Sequence, residues 1–427
     1  MSRKTFFAIL LAATIVFVLA NTLTGGYMFD MELMGAQIMT EPHLLDEYNI
    51  TDLAPFKYRI LFAWIVQGTY ELLGGNSNTL FFGTFIAWSY FFFITACLSF
   101  YWLMHTLRFS RKLSLIGISL FLICPAVAMG YTPPVHTRED FLAYTLLCLG
   151  LVFLIKNRTL PFMLTCVVAI MCRETLLILP FVMLFFTRSH SVFKRMLMAI
   201  IPFAAWVGFR ILLGYERYDM TEGLMYNIEN YLQIPAFFFI TFHAMWVLFL
   251  FSMVSRKSLT PSTEGRRIIL SSGPWAVGLI FFTTFVGGIF NEIRLLQLAF
   301  PWIVVTNLVY LERYKSYIGN QITQPLYKGV VAILALLTGS LGYFILDRYG
   351  HMLSYTRYAV PVELWLIAGL FTFFLFTAWV PLALSIISEE RKKSKGAKVL
   401  NNKPSANNTD KAADFFTGQS AKKEYIH

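Results

Sequence analysis

Apolar runs long enough to cross a bilayer recur along the whole chain, at 5–23, 79–105, 113–131, 140–156, 196–214, 233–254, 268–289, 295–311, 329–346 and 362–387. A membrane-crossing helix needs about 20 such residues. Only a helix or a closed barrel satisfies its own backbone in hydrocarbon. A further stretch, 159–187, holds two shorter apolar runs broken by Cys172-Arg173-Glu174-Thr175 and reads as a hairpin of two short helices. The expected fold is therefore all-α, a polytopic transmembrane helical bundle of about twelve spans. Charged residues make up only 14% of the chain, against ~25% in soluble domains, which leaves too little polar surface to cover a separate globular domain. Residues 1–388 form one transmembrane domain. Residues 389–427, rich in Lys, Asn, Ser and Ala, form a disordered basic tail.

The net charge of +11 does not point to nucleic acid, because the basic residues sit in short clusters between apolar runs. Such clusters mark the cytoplasmic side of a membrane protein and face its anionic leaflet. Arg3 and Lys4 hold the N-terminus inside, and the tail after Ile387 holds the C-terminus inside. Arg108, Arg111, Lys112, Lys156, Arg158, Arg188, Lys194, Arg256, Lys257, Arg266 and Arg267 mark inner loops. Residues 5–23 also have the outline of a signal peptide, with Val18-Leu19-Ala20 as a weak cleavage site. The remaining topology works best if they stay as the first span. The longest polar connection, 24–56, then lies outside, in an outer loop that spans 24–78. The apolar part of that loop, 57–75, cannot cross without inverting everything downstream, and is expected as an interfacial or re-entrant helix. The cell membrane, with both termini cytoplasmic, is the expected location, and a bacterial inner membrane the expected setting.

The acids collect on the outer side. Asp30 and Glu32 follow the first span, and the same loop ends at Lys57-Tyr58-Arg59. His136-Thr137-Arg138-Glu139-Asp140, the Arg173-Glu174 turn and Asn291-Glu292-Ile293-Arg294 come from three other outer segments. Arginine grips a phosphate bidentately, and a carboxylate not consumed by an ion pair acts as a general base. The plainer alternative is that loop-end charges mark the interface and that adjacent Arg and Glu pair with each other. Arg173-Glu174 stands out because its flanking half-spans place it below the usual headgroup level, where a polar group lines a cavity or is buried in protein. The five cysteines lie in apolar segments without metal-ligand spacing. His105 and His243 read as packing or interfacial residues. A divalent metal remains open as a cofactor.

An N-terminal span, a long first outer loop with an acidic pair near its start, a membrane-lying helix in that loop and later spans of uneven length resemble the GT-C superfamily of polytopic glycosyltransferases. The resemblance is architectural and covers roughly residues 1–388. It implies transfer of a sugar from a polyprenyl-phosphate donor to an envelope glycan or lipid acceptor on the outer face. Asp30 or Glu32 would be the catalytic base. Arg59, Arg138, Glu139, Arg173, Glu174, Asn291, Glu292 and Arg294 are the candidate substrate-binding residues, chosen by charge rather than by a family motif. The family's C-terminal extracytoplasmic domain is not expected here, so acceptor recognition would fall to the loops. A multi-span transporter or lipid-linked glycan flippase, and a polysaccharide polymerase or ligase, are the competing readings.

Overall fold

The computed structural model describes residues 2–24, 59–124, 126–127, 139–213, 221–229, 231, 241–242, 245–254, 262–288, 293–325, 327–333, 336 and 379–392. Among them the regular elements are all helical. They are α1 (Arg3–Thr24), α2 (Ile60–Leu72), α3 (Asn78–Thr106), α4 (Arg111–Ile123), α5 (Glu139–Ile155), α6 (Thr159–Ile170), α7 (Ile178–Phe186), α8 (Val192–Leu212), α9 (Thr221–Glu229), α10 (Met245–Val254), α11 (Glu264–Gly287), α12 (Phe300–Arg313) and α13 (Lys315–Thr323). Short 3-10 turns precede α7, at Glu174–Leu177, and α12, at Ile293–Ala299. A further helical stretch covers 379–392. Among the described residues, four helical segments are long and apolar enough to cross a membrane: α3, α8, α11 and Leu295–Arg313.

Serine and threonine begin several of these helices for a common reason. The first N–H groups of a helix have no partner within it, and a hydroxyl one position ahead accepts one of them. Ser77, Ser110, Ser191 and Thr263 accept from the backbone N–H of Leu80, Leu113, Lys194 and Arg266 respectively.

The core is built on α3 and α5, which run side by side in the same direction. Phe93 meets Phe141 at 4.9 Å between ring centres, the Thr95 and Thr145 hydroxyls lie 3.3 Å apart, and Trp102 meets Phe153 at 5.9 Å. α5 is apolar around its whole circumference, the pattern of a helix surrounded by protein, and most of its residues are buried. Phe100, Phe121, Tyr144 and Phe300 lock α3, α4, α5 and α12 together, with Phe121 and Tyr144 only 4.6 Å apart. Gly150 lets α7 approach α5, since a Cβ there would lie 2.6 Å from Leu179 Cδ1.

The stretch expected to be interfacial or re-entrant, 57–75, is helical from Ile60. It lies lengthwise and antiparallel along α3. Phe62 packs on Phe85 and Phe92, Tyr70 packs on Phe81, and the Trp88 indole donates to the Thr69 hydroxyl at 2.9 Å. The 159–187 hairpin is present as two short helices, α6 and α7, with Arg173 and Glu174 in its turn. The last helical stretch runs to residue 392, where Glu390 is buried and lies 3.5 Å from Arg313. Leu382, Ala383 and Ile386 pack against Leu248, Tyr310 and Tyr314, so an apolar stripe carries the helix past the point where the composition turns basic.

The ends bearing the basic clusters are tied by arginines. Arg108 and Asn157 have left-handed backbones, φ 60° and 54°, just after α3 and α5, a common way for a helix to stop. The buried Arg266 then reaches across from α11. Its guanidinium donates to the carbonyls of Leu107 at 2.9 Å and Arg108 at 3.2 Å, pairs with Glu312 and stacks over Phe109 at 4.3 Å. Arg195 caps α7 through the carbonyls of Leu184 and Thr187. Replacing Arg266 with Ala removes charged hydrogen bonds from carbonyls that the chain leaves without helical partners. Thermal unfolding in detergent should show a loss of about 2–3 kcal/mol, and Arg266→Lys should recover only part of it. An unchanged transition would remove the anchoring role.

Candidate functional site

Three segments far apart in sequence bring five charged residues together. α5 opens with Glu139 and Asp140 in its first turn, where the positive end of the helix dipole favours carboxylates. Arg59 stands immediately before α2. Arg173 and Glu174 form the hairpin turn, with Arg173 in an extended conformation that ends α6 and starts the 3-10 turn. The Leu61 N–H donates to the Met171 carbonyl at 3.2 Å, joining an unused donor at the start of α2 to an unused acceptor at the end of α6. The Cys172 thiol donates to the Glu139 carbonyl at 3.5 Å, fixing the same turn to the start of α5.

Arg173 and Glu174 are neighbours in sequence, yet each takes its ionic partner from another segment. Arg173 pairs with Asp140, and both side chains are nearly sealed from solvent, at 3% and 0% exposure. The Arg59 guanidinium forks onto Glu174, with Nη2–Oε1 at 2.8 Å and Nε–Oε2 at 3.4 Å. Its Nη1 also lies 3.6 Å from Glu139 Oε1. Glu139 is fully buried, and neither of its oxygens accepts a hydrogen bond among the described residues. These five residues carry two positive and three negative formal charges.

Helix geometry gives the depth of the cluster. α6 climbs 12 residues from the basic end to the turn, about 18 Å at 1.5 Å per residue. By the second route, Phe141 at the start of α5 is level with Phe93. From Phe93 to the end of α3 is again about 20 Å. The site therefore sits well inside the height of the bundle, and α3 continues beyond it toward Asn78. The sequence had placed these charges in outer loops and turns; the structure buries Glu139, Asp140 and Arg173, leaves Arg59 slightly exposed, at 10%, and leaves Glu174 more open, at 27%.

Glu174 is the opening. It and Thr175 form one end of a groove of about 530 Å³ between α7, α8 and α11, walled by apolar side chains including Phe181, Leu184, Ala199, Phe203 and Leu279. α7 and α8 run antiparallel along it, so the groove leads from the charged cluster toward the basic end for about 15 Å. Its outer wall, α8, exposes Met196, Ile200 and Phe203 at half or more of their surface. Apolar exposure on that scale marks a surface that meets lipid or another apolar body.

Of the residues singled out from sequence, Arg59, Glu139, Arg173 and Glu174 converge. Asp140, noted only as part of its loop, joins them as the partner of Arg173. Its place beside Glu139 in a first helical turn was the available signal. Asp30, Glu32, Arg138, Asn291 and Glu292 lie outside the described residues. Arg294 falls within the 3-10 turn before α12, and its side chain is outside the description.

Removing one member of the Arg173–Asp140 pair leaves a buried charge without compensation. Arg173→Met is expected to cost about 3–5 kcal/mol, and Asp140→Leu in the same chain to restore most of it. A double-mutant cycle on thermal unfolding in detergent reads this coupling. Additive effects of the two changes would mean that the pair holds nothing together. Comparison of the chain with protein-family models, with curated proteins and with solved structures found no match.

Proposed function

We propose that this chain is a membrane-embedded glycosyltransferase of GT-C type that moves a sugar from a polyprenyl-phosphate donor to an envelope glycan or lipid acceptor. In this reading the bundle has about twelve spans, with both termini on the cytoplasmic side and the charged cluster in the outer half of the bundle. One observation carries the reading: an apolar groove ends on Glu174, whose carboxylate is held in the fork of Arg59. A polyprenyl phosphate has that same form, a long apolar chain ending in an anion.

The charge balance sets how such a ligand binds. With three carboxylates against two guanidiniums, the site has no surplus positive charge to draw an anion in. The donor phosphate instead replaces Glu174 in the Arg59 fork, presenting two oxygens where the carboxylate presented two. Glu174 is the most exposed member of the cluster, and in this reading it is the one the phosphate displaces. Arg173 stays neutralised by Asp140 and keeps the turn in place.

In the transfer step an acceptor hydroxyl attacks the anomeric carbon. The bond from that carbon to the phosphate oxygen breaks, and its electron pair leaves with the phosphate, held by Arg59. The hydroxyl proton passes to a carboxylate, assigned to Asp30 with Glu32 beside it in sequence. A divalent metal would assist at the phosphate if the acidic loop brings one.

The depth of the cluster favours a second reading. Ionisable groups within the height of a helical bundle also mark the path of a transported ion or solute. The two readings separate in binding. Purified protein in nanodiscs is expected to bind undecaprenyl phosphate saturably. Arg59→Gln should weaken binding on the order of 100-fold, as loss of a buried charged contact does, and Ala199→Phe, which narrows the groove, should weaken it about tenfold. In membranes supplied with labelled polyprenyl-phosphate sugar, Asp30→Asn should lose transfer. Transfer retained in both Asp30→Asn and Glu32→Gln would remove the base assignment. Absence of saturable binding in the unaltered protein would favour the transporter.

A further inference from the structure

A second groove is lined by a different set of helices and has its mouth at the basic end. It occupies about 540 Å³ between α3 and α5, lined by Thr95, Ser99 and Thr145 in its depth and by Trp102, His105 and Lys156 at its mouth. Thr95, Ser99 and Trp102 recur at the spacing of one α3 face, and Thr145 and Lys156 lie on the facing side of α5. The small hydroxyl side chains leave the space. Each hydroxyl is bonded to its own helix, Thr95 to Phe92 O, Ser99 to Ala96 O and Thr145 to Phe141 O, so the walls ask for no hydrogen-bonding ligand. From His105 to Thr95 the groove is ten residues deep along α3, about 15 Å. That is half of the ~30 Å hydrocarbon thickness, the length of one leaflet's acyl chains.

The mouth carries the opposite chemistry. The Lys156 ammonium sits 4.8 Å from the centre of the Trp102 ring, and both side chains are exposed. Trp102 also contacts Phe153, which holds the indole over the groove. Arg108, Arg111 and Arg158 are exposed at this same end of α3, α4 and α5. An indole at the groove lip beside an ammonium is the pairing found at a membrane–water interface.

We infer that this groove holds an anionic phospholipid of the cytoplasmic leaflet, with its phosphate on Lys156 and one acyl chain between α3 and α5. Charge complementarity selects the occupant, because the basic end of the bundle faces the leaflet that carries anionic lipid. This site is separate from the Arg59–Glu174 groove, and its occupant is not the transferred substrate. By filling the space beside the Thr95–Thr145 contact, the lipid supports α3 against α5, the helix that carries Glu139 and Asp140.

The test uses the full chain reconstituted in phosphatidylcholine vesicles containing phosphatidylglycerol brominated in its acyl chains, with brominated phosphatidylcholine as the comparison. Bromine quenches a tryptophan it touches, and the Trp102 signal is obtained by subtracting the emission of Trp102→Phe. Brominated phosphatidylglycerol is expected to quench Trp102 at lower mole fraction than brominated phosphatidylcholine. Lys156→Gln should weaken that preference about fivefold, from the worth of one basic residue near an anionic surface, and Lys156→Arg should retain it. Lys156 is exposed, so neither change threatens the fold. Equal quenching by the two lipids, or an unchanged preference in Lys156→Gln, would overturn the assignment.

Discussion

Two ion pairs hold the centre of this molecule: Arg173 with Asp140, and Arg59 with Glu174. Each joins the turn of the α6–α7 hairpin to a different helix, α5 in one case and the start of α2 in the other. Charges at such depth are costly to desolvate and persist only when paired. That cost fixes the geometry. A shift of the hairpin by one turn, about 5 Å along its axis, would leave at least three charges unmatched. The shortness of α6 and α7 follows from the same constraint, because their turn has to stop where the partners are.

The aromatic core and the ionic centre are mutually dependent. Phe93 against Phe141 sets the height of α5 on α3, and that height puts Glu139 and Asp140 level with the hairpin turn. The arginines at the basic end act on the same register from below. Arg266 ties the ends of α3 and α12 together, and Arg195 closes the far end of α7, which leads into the site. Glu174 is the exception among the central charges. It lines the groove and is the most exposed of the five.

Much of this was legible in the residues. The full-length apolar runs marked α3, α8 and α11, and the broken run at 159–187 marked the hairpin, because hydrophobic length and its interruption are local properties. The Arg and Glu in its turn were also recognisable as unusual, since two half-length helices cannot lift a turn to the headgroups. Their partners were not legible. Asp140 is drawn to Arg173, and Glu174 to Arg59 across 115 residues, by packing that no local pattern encodes. Adjacent opposite charges read most simply as a pair with each other, and here they are not. The lengthwise seating of α2 on α3 was hidden in the same way: its apolar composition suits both a membrane surface and a protein one, and Phe62, Thr69 and Tyr70 decide it through contacts made only on folding.

The central claim is that the Arg59–Glu174 pair is the headgroup end of an apolar ligand groove. The most direct measurement is a cryo-EM map of the full chain in nanodiscs saturated with undecaprenyl phosphate, compared with a map without it. Continuous density is expected between α7, α8 and α11, with the phosphate in the Arg59 fork and the Glu174 carboxylate displaced from it. An intact Arg59–Glu174 pair, with no density in the groove beyond that of the bulk lipid, would contradict it.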